Sequence, residues 1–139
     1  MKPFFNGMAL ERLGRAALAG VFLYAAILKI REPLDFADAI DGFQILSARW
    51  INLLALALPW LEALTALLLF APLRRMALGM TLALTVLFGV ALSSAMFRGL
   101  AIDCGCFGPS VPHALPYALA RDAFLFVLAG ALWWRELKR

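Results

Sequence analysis

Four apolar stretches of about twenty residues each divide this chain of 139 residues: Leu13 to Ile30, Ile51 to Phe70, Met76 to Phe97 and Leu115 to Trp134. About twenty apolar residues carry a helix across the hydrocarbon core of a bilayer. Backbone polar groups in lipid must be satisfied within the segment, which favours helices, and no alternating strand pattern competes. The fold class expected is all-α: a bundle of four transmembrane helices with short connections. Overall, 64% of the residues are hydrophobic, against roughly 45–50% in a soluble domain. A chain of this length leaves no room for a separate soluble module, so residues 1–139 are expected to form one membrane domain. Basic residues followed by an apolar stretch resemble a signal peptide, but the stretch ends in Lys29-Ile30-Arg31-Glu32 without a small-x-small cleavage site, and it reads as a retained helix.

The formal net charge is +4. The positive charges form no nucleic-acid-binding patch; they sit at the ends of the apolar segments. Lys2, Arg12, Arg15, Arg74, Arg75, Arg135, Lys138 and Arg139 fall on one side of the membrane, and Lys29, Arg31, Arg49, Arg98 and Arg121 on the other. The positive-inside rule then places both termini in the cytoplasm of a bacterial inner membrane and the 98–116 connection outside. The other outside connection, Arg31 to Trp50, contains Phe36, Ile40 and Phe43 on one helical face and Asp35, Asp38 and Asp41 on another. That pattern predicts a short amphipathic helix at the interface, serving as a lid, a docking surface or a gate. Trp50, Trp133 and Trp134 fit an interfacial aromatic belt.

The only two cysteines lie in the outside connection, in Asp103-Cys104-Gly105-Cys106-Phe107-Gly108. Their spacing is close to the range a disulfide requires, and Gly105 permits the turn that brings them nearer. A ring this small closes almost no loop, so it suits thiol–disulfide exchange better than structural stapling. A two-thiolate Cu(I) site and a pair of inert thiols remain alternatives; a fuller metal site would need ligands that a chain with one histidine does not supply. Asp103 would raise the pKa of a neighbouring thiol, Arg98 would lower it, and His113 is either a proton acceptor for a thiol or a bystander.

Glu62 falls about eleven residues into the second apolar segment, roughly 16 Å deep at 1.5 Å per residue. A carboxylate near mid-bilayer needs a partner, and Lys29 and Arg121 are the candidates. The pair would fix helix packing or move protons. Pro59 is expected to kink the helix just before it. Phe88, Phe97, Phe107, Tyr117, Phe124 and Phe126 would either line a flat quinone-like site or simply pack.

The cysteine signature, preceded by Arg98-Gly99, resembles that of the MauE family of methylamine-utilisation proteins, within the wider DoxX-like group. The likeness continues in Tyr24-Ala25-Ala26-Ile27-Leu28-Lys29, a following proline with Asp35-Phe36, Pro59-Trp60-Leu61-Glu62, and Arg121-Asp122. It implies a four-helix inner-membrane protein, possessing membrane disulfide oxidoreductase character, that supports disulfide formation beside a periplasmic thioredoxin-like partner. The family also resembles membrane disulfide-forming proteins of the DsbB and vitamin K epoxide reductase type. Those relay electrons through two cysteine pairs to a quinone, whereas this chain has one pair, so a partner must meet Cys104 or Cys106 directly or supply the second pair. Two other classes fit the same residues: a carrier of a soft metal or small solute, and a membrane subunit of a sulfur-compound:quinone oxidoreductase. A redox pair predicts a dithiol that alkylates only after mild reduction and has a measurable potential. A carrier predicts free thiols that bind Cu(I) or Zn(II) without prior reduction.

Overall fold

The computed structural model describes residues 2–100, 102 and 115–139, with side chains from Gly7 onward. Among them every regular element is a helix: α1 (Lys2–Arg31), α2 (Pro33–Gly42), α3 (Ala48–Leu68), α4 (Arg74–Phe97) and α5 (Leu115–Leu137). All but α2 are long and apolar enough to cross a membrane. Four spanning helices with a short amphipathic one between the first two is the architecture the sequence predicts. The helices overrun the apolar segments, most of all α1, which begins at Lys2 and not near Leu13. Hydropathy marks only the part of a helix that meets hydrocarbon. Backbone hydrogen bonding carries the helix on through residues such as Glu11 and Arg12, which are good helix formers.

The most extensive contacts pair α1 with α3 and α4 with α5; α3 against α4 and α1 against α5 close the ring. Small residues make these approaches possible. Ala19, Ala26, Ala66, Ala77, Ala95 and Ala129 are buried between helices, as expected where association in lipid depends on close packing and not on hydrophobic expulsion. Large apolar side chains point outward instead: Leu13, Leu56, Leu67, Val90, Phe124 and Val127 are exposed. Thr65, Thr81 and Thr85 are buried, and each returns its hydroxyl to a backbone carbonyl one turn earlier in its own helix.

The helix α2 folds back onto α3 and α1. Pro33 opens it, at a position where its missing N–H costs nothing. Phe36 is buried, Ile40 and Phe43 pack on the core, and Asp35, Asp38 and Asp41 remain exposed. The predicted division of faces is the observed one.

A second contact fixes this end of the bundle. Leu100 N–H bonds to Ala95 O and Gly99 N–H to Met96 O, closing α4 in a Schellman motif that needs the φ of +68° found at Gly99. Arg98, at the cap position, donates to Ser94 O at 3.4 Å, to Gln44 O at 3.5 Å, and to Phe43 O. Gly42 approaches Ile102 so closely that a β-carbon there would lie 3.4 Å from its Cγ2. The end of α2 is thus latched to the end of α4 through backbone carbonyls. Arg98→Ala is expected to raise amide exchange across residues 42–47 by about fivefold, consistent with loss of roughly 1 kcal/mol of exposed hydrogen bonding. Exchange within α3 should not change.

Candidate functional site

Glu62 lies well inside α3, about 20 Å from its start at 1.5 Å per residue. It is 1% exposed and Lys29 is 3% exposed. Lys29 Nζ donates to Glu62 Oε1 at 2.6 Å. Of the two partners the sequence proposed for Glu62, Lys29 therefore makes the direct ion pair. The ammonium also sits 4.8 Å from the Phe36 ring centroid and 5.0 Å from that of Phe88. Both distances suit cation–π attraction, which strengthens when the cation is withdrawn from water. One lysine at the end of α1 thereby touches α3 through Glu62, α2 through Phe36 and α4 through Phe88.

Arg121 enters the same neighbourhood from α5. With Lys29, Glu62, Thr85, Phe88 and Asp122 it lines a partly open cavity of about 40 Å³. A water molecule needs roughly 10–15 Å³ on this measure, so the cavity has room for more than one. Glu62 Oε2 is buried with no hydrogen-bond partner among the described residues, and a carboxylate oxygen in that position is a natural acceptor for such water. Asp122 reaches α4 because residue 89 is glycine: a β-carbon there would stand 2.9 Å from Asp122 Oδ2. Pro59, one turn before Glu62, is fully buried and lies inside a helix that continues through it. The arrangement gathers two acids and two bases from α1, α3 and α5 around a small cavity whose walls are otherwise mostly apolar.

The remaining sequence candidates fall elsewhere. Cys104, Cys106, Asp103, His113 and Phe107 lie outside the described residues. The chain leaves the described residues at Ile102 and re-enters at Leu115, six residues before Arg121. Leu100, Ile102 and Leu115 belong to one apolar cluster, with Leu92 and Ala118. Arg98 is the latch on α2. Among the described members of the aromatic set, Phe97 is 92% exposed and Tyr117, Phe124 and Phe126 are also exposed, while Phe88 lines the cavity together with Phe22. The reason is that an apolar ring in a bilayer gains as much from lipid as from the protein interior, so aromaticity does not predict which way it faces.

Sequence reasoning missed the polar cluster at the opposite end. Glu11 and Glu136 are both buried. Arg139 Nη2 lies 2.6 Å from Glu11 Oε2, Arg135 Nη1 3.7 Å from Glu11 Oε1, and Arg74 Nε 2.9 Å from Glu136 Oε1. Arg75 donates to Glu136 O at 2.9 Å. The signal was present as two acidic residues among basic ones at segment ends, but their pairing spans most of the chain.

Comparison with known proteins adds a family. The family model described as methylamine utilisation protein MauE matches residues 8–135. A protein named methylamine utilization protein MauE from Methylorubrum extorquens is 37% identical over 86% of this chain and 66% of its own length. Its namesake from Paracoccus denitrificans is 34% identical over 85% of this chain and 65% of its own length. A third, from Methylophilus methylotrophus, is 32% identical over 76% of this chain and 57% of its own length. The chain thus spans less than two thirds of each of these relatives. No solved structure matches it significantly.

Removing one member of a buried ion pair strands the other charge, at a cost of about 3–5 kcal/mol, whereas replacing both with apolar residues is often neutral. Lys29→Met and Glu62→Leu should each lower the thermal midpoint in detergent markedly, and the double variant should recover most of the loss. If the two single losses simply added, the pair would not be coupled.

Proposed function

The chain belongs to the MauE family of multi-pass membrane proteins, and on that premise we propose that it is a thiol–disulfide exchange protein of a bacterial inner membrane. Its termini face the cytoplasm and the 98–116 connection faces the periplasm. There Cys104 and Cys106 cycle between disulfide and dithiol and support disulfide formation through a thioredoxin-like partner. The relatives are named for methylamine utilization, and on this reading that is the process the exchange serves.

The balance of the exchange is simple. A partner thiolate attacks the Cys104–Cys106 disulfide and forms a mixed disulfide, releasing one cysteine as thiolate. The partner's second thiolate then displaces the other cysteine. The partner leaves with a disulfide, and this chain holds two electrons as a dithiol once two protons are taken up. Reoxidation gives those electrons and protons to a quinone or to a second redox protein.

The observation that carries the reading is the chain's only two cysteines, set one residue apart around Gly105 in a family-matched segment. The polar site supports it. Lys29, Glu62, Arg121 and Asp122 line a cavity with room for water, and Arg121 stands six residues after Leu115, where the described chain resumes beyond the cysteine segment. Ionisable residues held in a membrane interior are functional candidates by default, and a two-proton redox step gives these a task. A carrier of a soft metal or small solute would use the same site for coupling and the thiols for capture, and a sulfur-compound:quinone oxidoreductase subunit would use it for proton release.

Cys106→Ser or Cys104→Ser should trap a mixed disulfide with a periplasmic protein, visible as a reductant-sensitive band on a gel. The double serine variant should lose the ability to support disulfide formation in that partner. Full function in the double variant would end the reading. Glu62→Gln should slow turnover by about tenfold or more while leaving the trapped complex intact.

A further inference from the structure

We propose that the cleft between the start of α4 and the last turn of α5 binds the phosphate group of an anionic phospholipid. The cleft encloses about 480 Å³ and is lined by Leu73, Arg74, Arg75, Met76, Glu136 and Arg139, among others. It lies at the end of the bundle where α1 begins and α5 finishes, tied together by the Glu11 and Glu136 ion pairs. Four apolar spans end near this level, so the cleft stands where lipid headgroups lie.

The charges in the cluster do not cancel. Among the described residues, Arg74, Arg75, Arg135 and Arg139 face two side-chain carboxylates, Glu11 and Glu136. Nor are the donors exhausted. A guanidinium carries five N–H groups in a planar fork suited to phosphate. Arg74 uses its Nε on Glu136 Oε1 and Arg75 uses one Nη2 contact on Glu136 O. The first turn of α4 holds no acidic residue and its start has no side-chain cap, so the helix dipole adds to the positive field and does not oppose it. The walls suit the rest of a lipid: Leu73 is 52% exposed and Met76 62% exposed beside the arginines, offering apolar surface to the first acyl carbons. Basic pockets between spanning helices at the membrane surface hold acidic headgroups through this combination of charge and apolar rim.

Glu136 is the internal competitor. It occupies Arg74 at 2.9 Å and lies 3.8 Å from Arg139, standing where a phosphate would take over the same donors. A cluster that served only to neutralise Glu11 and Glu136 would lose stability without this carboxylate and gain nothing in lipid affinity. A headgroup site would bind its lipid more tightly.

The test is native mass spectrometry of the detergent-purified, delipidated full chain with added dioleoylphosphatidylglycerol or dioleoylphosphatidylcholine. Phosphatidylglycerol should be retained about tenfold more strongly than phosphatidylcholine. Arg74→Gln with Arg75→Gln should remove most of that preference, and Arg75→Gln alone, which leaves the Arg74–Glu136 pair in place, should reduce it. Arg12→Gln with Arg15→Gln, basic positions at the same end that do not line the cleft, should leave it unchanged. Glu136→Gln should raise retention. Equal retention of the two lipids by the unaltered protein, or an unchanged preference in both cleft variants, would overturn the proposal. Displacement of phosphatidylglycerol by inorganic phosphate at millimolar concentration would overturn it as well, because the site would then be one for a free anion.

Discussion

The contact on which the rest of the structure depends is the buried pair between Lys29 and Glu62. Two charges at membrane depth are costly, and mutual attraction compensates only when geometry and surroundings are good. Here Nζ and Oε1 are 2.6 Å apart, and two aromatic rings share the cation. The consequence is architectural. Lys29 sits at the end of α1, so neutralising it requires α3 to bring Glu62 alongside, α2 to fold Phe36 over the top and α4 to present Phe88. A packing of apolar helices in lipid has little to specify register, because a helix gains similar contacts in many positions. One charge pair that is tolerable in a single arrangement removes that freedom.

The two ends of the bundle are fixed differently. At one end Arg98 holds the α2–α3 connection through backbone carbonyls, and a Schellman motif stops α4 beneath it. At the other, four arginines grip Glu11 and Glu136 across α1, α4 and α5. The middle is held by small residues and threonines that satisfy themselves. Polar contacts thus set where the helices end and how they are registered, while close packing of alanines sets how near they come. Between the two ends, Glu62 Oε2 has no hydrogen-bond partner among the described residues.

Much of this was legible in the residues. The four spans follow from length and hydropathy, because the bilayer imposes both. The faces of α2 follow from helical spacing of Phe36, Ile40 and Phe43 against the three aspartates. Glu62 announces itself as a carboxylate in an apolar run, and Lys29 was one of two partners within reach. Family membership was visible in the same residues and agrees with the relatives matched over most of the chain. The outward-facing aromatics were not legible. In a soluble protein a phenylalanine points inward, but in a bilayer both sides are apolar, and Phe97 and Phe124 take the lipid side.

The sequence by itself determined that the chain spans a membrane four times, where its charges fall along it, and that two thiols lie together in one connection. Those are local properties, set by a residue's hydropathy and its spacing from near neighbours. Only the tertiary structure decided that Lys29 and not Arg121 makes the direct pair with Glu62, that Gly89 makes room for Asp122, and that Glu11 joins arginines more than a hundred residues away. Each is a meeting of distant segments, and its outcome depends on how helices rotate about their own axes. Hydropathy is nearly the same all round α1, so that its rotation is settled by the few polar groups that cannot be left facing lipid.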